Sequence, residues 1–137
     1  TLDRSSAASD VYKRQGVVGP WNGVLVNITT HELDPSAPFA TLLRETIVHE
    51  VGHLVGLYHT TEADGTFFDP LDDTPECDAE TFDADGDGDV LADECVPLGG
   101  GDNVMFWTPS VTAPPAVPQV VLSGDQFDVI DHVVVGN

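Results

Sequence analysis

Positive charge is what this sequence has least of. Its 137 residues hold four Lys and Arg against 24 Asp and Glu, for a formal net charge of −20. Arg4, Lys13 and Arg14 lie in the first fifteen positions, and no Lys or Arg follows Arg44. Such a chain has no electrostatic footprint for a nucleic acid, which argues against that partner class. Long apolar runs are also missing. None approaches the roughly 20 residues a helix needs to cross a bilayer, so no membrane-spanning segment is expected.

The length is that of one domain, and an apolar share of 41% is enough to build a core for it. Acid is concentrated rather than spread, since 14 of the 24 acidic side chains fall between residues 62 and 95. At that density the charges repel one another and oppose compaction. Bound cations or a saline medium would answer the repulsion, and the two are compatible. Cys77 and Cys95, the only cysteines, bracket this acidic segment. They read as a disulfide, which implies an oxidising, extracellular setting.

Residues 49–59 organise everything else. His49-Glu50-Val51-Gly52-His53-Leu54-Val55-Gly56-Leu57-Tyr58-His59 spells H-E-x-x-H-x-x-G-x-x-H. His49 and His53, four apart, stack on one face of a helix, where two neutral imidazoles can share one metal ion. Glu50 is one step round, close to the metal without being needed as a ligand. Gly56 lets the chain leave the helix in a left-handed conformation, and the turn returns His59 as a third ligand. Three histidines leave a fourth zinc position open, as a catalytic site requires. The plainer alternative is a buried amphipathic helix with satisfied histidines, which five specified positions at fixed spacing disfavour.

The signature resembles that of the metzincin zinc endopeptidases. Taken with Asp72-Asp73-Thr74-Pro75 and Asp102-Asn103-Val104-Met105, it is most similar to the pappalysin family, over about residues 40–110. The resemblance implies an α+β fold: an N-terminal sheet, an active-site helix, a long calcium-binding loop region, a methionine turn and a C-terminal helix. It implies catalytic zinc on His49, His53 and His59, Glu50 as general base, and Met105 supporting the histidines from below. It also implies that Asp69, Asp72 and Asp73 form a second calcium site.

Two features depart from that pattern. Relatives carry Tyr two residues after the methionine, where its hydroxyl helps stabilise the oxyanion; here the position is Trp107, which has an indole N–H and no hydroxyl. Only residues 16–40 are left to build the sheet that precedes the helix, so the chain reads as a fragment of a larger multidomain secreted protein.

Along the chain, residues 1–15 are polar and hold nearly all the basic charge. They read as a fusion or adapter scar, or a flexible extension, and stand outside the metallopeptidase domain expected over 16–137. Residues 24–28 read as a strand, either an edge that an extended substrate joins or an ordinary core strand. His31 falls in a proline-containing loop. The active-site helix is expected from residue 40 or 41 to 54 or 55, with Leu43, Ile47, Val51 and Leu54 as its packing stripe.

Residues 60–102 show no helical period. Within them, Asp83, Asp85 and Asp87 occupy positions 1, 3 and 5 of a twelve-residue calcium loop, with Gly88 at 6, Val90 at 8 and Glu94 at 12. Asp89 adds a further carboxylate. The run is similar to the calcium repeats of thrombospondin type 3 domains; a solvated acidic loop is the alternative. Ser123 and Gln126 form a capping box for a last helix reaching about Val134, with a Leu122–Phe127 staple and with Phe127, Ile130 and Val134 facing in.

The functional expectation is a secreted zinc endopeptidase acting on protein or peptide substrates. A calcium-stabilised binding or adhesion module that keeps zinc without catalysis is the rival, and a non-proteolytic zinc hydrolase is the third reading.

Overall fold

The structure is a computed structural model that describes residues 23–26, 39–109 and 117–135. Its described residues form three helices: α1 (Phe39–Leu54), the single-turn α2 (Ala79–Phe82) and α3 (Gly124–Val135). Strand pairing among them is limited to two isolated bridges, Thr61 with Phe68 and Asn103 with Val121. Residues 24–26, the described part of the expected strand, belong to no regular element, and Leu25 is exposed. The rest of that strand, His31 and residues 1–15 lie outside the described residues.

Helix α1 ends where the sequence places its stop. Gly56 takes a φ of 99°. Its N–H bonds the His53 carbonyl at 3.1 Å, and the Leu57 N–H bonds the Gly52 carbonyl at 3.0 Å. These two bonds close a Schellman motif, which satisfies carbonyls the helix end would otherwise orphan. The expected packing stripe is corrected: Ile47 and Val51 are 43% and 41% exposed. The buried face is instead that of Gly52 and His53. Met105 and Leu57 pack against Gly52, and the Val104 carbonyl meets His49, so burial follows the site face.

Helix α3 begins with the capping box. Gln126 N–H donates to Ser123 Oγ at 3.2 Å, and Ser123 N–H donates to Gln126 Oε1 at 2.9 Å. Gln126 is fully buried, and its amide pairs reciprocally with that of Asn103. Val129 and Ile130 pack on Leu57, Val104 and Met105. The inward face therefore runs through 126, 129 and 130, an i, i+3, i+4 set. Phe127 and Val134 turn outward at 57% and 67% exposure, against the expectation that both face in. His132 is exposed. Asp73 Oδ2 accepts the Asp125 N–H at 2.9 Å, placing a carboxylate at the positive end of α3.

A second core holds the acidic region together: Cys77, Val90, Ala92, Cys95 and Phe106, with Phe82 and Trp107 against them. Cys77 and Cys95 form a disulfide across a Cα–Cα distance of 5.7 Å. This block is tied to the methionine segment by Thr60 N–H on the Met105 carbonyl, and to itself by Val90 N–H on the Ala63 carbonyl. Among the described residues, no helix is long and apolar enough to cross a membrane.

Candidate metal centre

The three histidines of the motif meet. His53 Nε2 lies 3.1 Å from His49 Nε2 and 3.1 Å from His59 Nε2, and the third side of the triangle is 3.2 Å. His49 and His53 come from consecutive turns of α1, and His59 is carried in by the Gly56 turn.

The opposite ring nitrogens fix the protonation. His49 Nδ1 donates to the Val104 carbonyl at 2.8 Å, and His53 Nδ1 donates to the Leu57 carbonyl at 2.9 Å. A carbonyl only accepts, so both Nδ1 atoms carry protons and both Nε2 atoms carry lone pairs. His59 Nδ1 faces the Glu62 carboxylate, which also only accepts, at 3.1 and 3.2 Å. Three lone pairs therefore converge on one point with no proton between them. Such an arrangement is repulsive unless a cation sits there. Three ligands at tetrahedral zinc distance stand roughly 3.3 Å apart, close to the spacing seen here. The donor set fits zinc, as three neutral imidazoles with outer partners.

Burial keeps the two helical imidazoles, His49 and His53, neutral. The His49 pKa is pushed down to about 4 by desolvation, with His59 and His53 adding to the effect. Burial lowers His53 as well, against the opposing pull of the Leu57 carbonyl. Neutral imidazole is the metal-binding form. Glu50 shows the opposite effect, since its burial raises the carboxyl pKa, in the direction a general base working near neutral pH needs.

Met105 is fully buried directly under α1. A methyl group added at Gly52 would collide with the Met105 sulfur, so the motif's second x position admits no side chain without movement. Asn103 Oδ1 accepts the Met105 N–H at 2.8 Å and shapes the turn.

Beside the histidines opens a cleft of about 110 Å³ lined by Glu45, Thr46, His49, Glu50, Trp107, Pro109 and Gln119. It has room for one side chain and is far below a typical drug-sized pocket. Trp107 forms a wall, and its indole N–H donates to the Val90 carbonyl at 2.6 Å. That donor is engaged away from the cleft. Glu45, which the sequence did not single out, has a buried Oε1 with no hydrogen-bond partner. Burial raises its pKa, while the Gln119 N–H and Arg44 pull it down.

Glu62 was also missed. The signal was available as a carboxylate three residues beyond the last histidine. Its pKa is lowered, chiefly by the hydrogen bond to His59.

Asp83, Asp85 and Asp87 form a second group able to hold a metal ion. Asp83 also accepts N–H bonds from Gly86 and Gly88. Glu94 folds back on the loop, accepting from Ala84 N–H and Leu91 N–H. Asp89 and Glu94 are not in the converging trio. Asp69, Asp72 and Asp73 do not converge among the described residues. Asp69 Oδ1 accepts from Thr74 Oγ1 and Leu71 N–H, and Asp73 caps α3.

No family model, no curated protein and no solved structure matches the chain.

Proposed function

We propose that this chain carries the catalytic centre of a secreted zinc endopeptidase, similar in its motif to the metzincins and specifically the pappalysins. One observation carries the reading: imidazole nitrogens of His49, His53 and His59 converge on one point, with Glu50 next to His49 on α1. His49, His53 and His59 would hold the ion. Zinc bound there supplies Lewis-acid polarisation of a carbonyl and of water. Glu50 takes a proton from the attacking water as its oxygen bonds to the scissile carbonyl carbon. It then returns that proton to the amide nitrogen as the C–N bond breaks, leaving a carboxylate and an amine. The Trp107 wall and the neighbouring cleft receive one substrate side chain. Calcium on Asp83, Asp85 and Asp87 steadies the disulfide-closed acidic block, and the disulfide accords with an extracellular location.

The test compares the full-length protein with its Glu50→Gln variant on casein or a peptide library, with zinc measured by elemental analysis. One zinc per chain in both proteins and cleavage only in the parent supports the role. Equal rates in both would remove it.

The engaged indole of Trp107 favours a second reading, a calcium-stabilised binding or adhesion module that retains zinc. On that reading the parent shows no peptidase activity with either ion, and calcium restores only its thermal stability.

A further inference from the structure

The three histidines are not supported alike. His49 and His53 rest on backbone carbonyls, those of Val104 and Leu57. Both belong to buried residues of one core cluster. Their positions are set by the packing of α1 on the methionine segment. His59 has left the helix, and the hydrogen bond on its Nδ1 goes to a side chain, the carboxylate of Glu62. Both carboxylate oxygens lie within 3.2 Å of that nitrogen, so the ring N–H is shared between them.

Glu62 is itself held on both sides. Its N–H bonds the Phe67 carbonyl at 2.9 Å, and its carbonyl accepts the Gly65 N–H at 2.9 Å. Its neighbour Thr61 is fully buried, bridges to Phe68 and accepts the Cys77 N–H on its hydroxyl. The turn is thus anchored to the disulfide block, and the carboxylate is presented from a fixed backbone.

We propose that Glu62 is a positioning residue for the metal centre, which fixes His59 in its Nδ1–H form and adds a negative charge behind the third neutral ligand. The inference rests on the metal-centre reading above. A carboxylate acceptor differs from a carbonyl in two ways. It makes the donating imidazole a stronger base at its other nitrogen, and it offsets part of the charge of a divalent ion. Loss of such a partner lowers metal affinity by about 10- to 100-fold in comparable sites.

The experiment measures zinc affinity of the full-length protein by competition with a chromophoric chelator, together with thermal melting of the metal-free forms. Four proteins are compared: parent, Glu62→Ala, Glu62→Gln and Asp64→Ala. Asp64 shapes the same turn by accepting from Thr66, without touching His59. Glu62→Ala is expected to weaken zinc about 10- to 100-fold while its metal-free melting stays that of the parent. Glu62→Gln, which keeps a neutral acceptor, is expected between the two, and Asp64→Ala with the parent. Equal affinity in Glu62→Ala and parent overturns the proposal, as does an equal loss in Asp64→Ala, which would assign the effect to the turn. A parent that binds no zinc would sink the metal centre itself, a result distinct from either.

Discussion

Gly52 and Met105 stand so close that the helix glycine could not carry even a methyl group without displacing the methionine sulfur. The contact sits one residue from His53, and Val104, whose carbonyl holds His49, precedes the methionine. Gly52→Ala is therefore expected to destabilise by about 1–3 kcal/mol through overpacking, and to weaken zinc by tilting α1. Met105→Ala makes room for that methyl, so the two costs should not add. A double-mutant cycle on thermal or denaturant unfolding checks this. Additive costs would show that the two residues are not coupled.

The acid response of the metal-free protein follows from His49. Its folded pKa is about 4, against an ordinary value of 6.5. Between these values the unfolded chain holds a proton that the folded chain does not, so stability falls as pH drops from 6.5 towards 4 and is complete above 6.5. The span corresponds to about 3 kcal/mol. Glu50 and Glu45, both raised by burial, act with opposite sign. They favour the fold while protonated, and that contribution fades as pH rises through their folded values. Melting of the chelator-stripped protein across this range, beside a His49→Gln variant, reads the histidine part as the difference in slope. Identical slopes would mean that His49 titrates alike in both states.

Much of the centre was legible in the sequence because it is local. His49, His53 and Gly56 are related by helix geometry and one turn, which spacing alone specifies, and the end of α1 at Leu54 followed from the same glycine. Ser123 and Gln126 were legible for the same reason. What failed depended on partners distant in the chain. Ile47 and Phe127 read as inward from periodicity, yet they are 43% and 57% exposed. Gln126, polar and unremarked as core, is fully buried because Asn103, 23 positions away, completes its amide. The Asp73 contact with the start of α3, 52 positions on, was likewise beyond what spacing could show.

Trp107 tests whether the cleft wall is also a donor to the reaction. Its N–H is committed to the Val90 carbonyl. Trp107→Phe keeps an aromatic wall and leaves that buried carbonyl without its partner, so stability should drop by about 1–3 kcal/mol. Peptidase kcat measured well below the melting temperature should change little. Loss of an oxyanion donor would instead lower kcat by about 100- to 1000-fold, and such a fall would show that the indole turns to the substrate during the reaction.

The acidic loop separates bound cation from simple screening. Asp83, Asp85 and Asp87 present carboxylate oxygens within 4.8 Å of one another, and like charges so close oppose folding unless they are neutralised. A specific ion stabilises by mass action, by about 2.7 kcal/mol when its concentration is 100 times the dissociation constant. Screening by sodium chloride acts on all the surface acids and needs far more salt. Millimolar calcium should therefore raise the melting temperature of the zinc-loaded protein beyond an ionic-strength-matched sodium chloride control. Asp85→Asn and Asp87→Asn should each abolish that increment while raising the melting temperature in calcium-free buffer, because each removes a repelling charge. If calcium and sodium chloride at equal ionic strength act alike, the three aspartates are a solvated surface, and the loop is held by Val90, Trp107 and the Cys77–Cys95 disulfide.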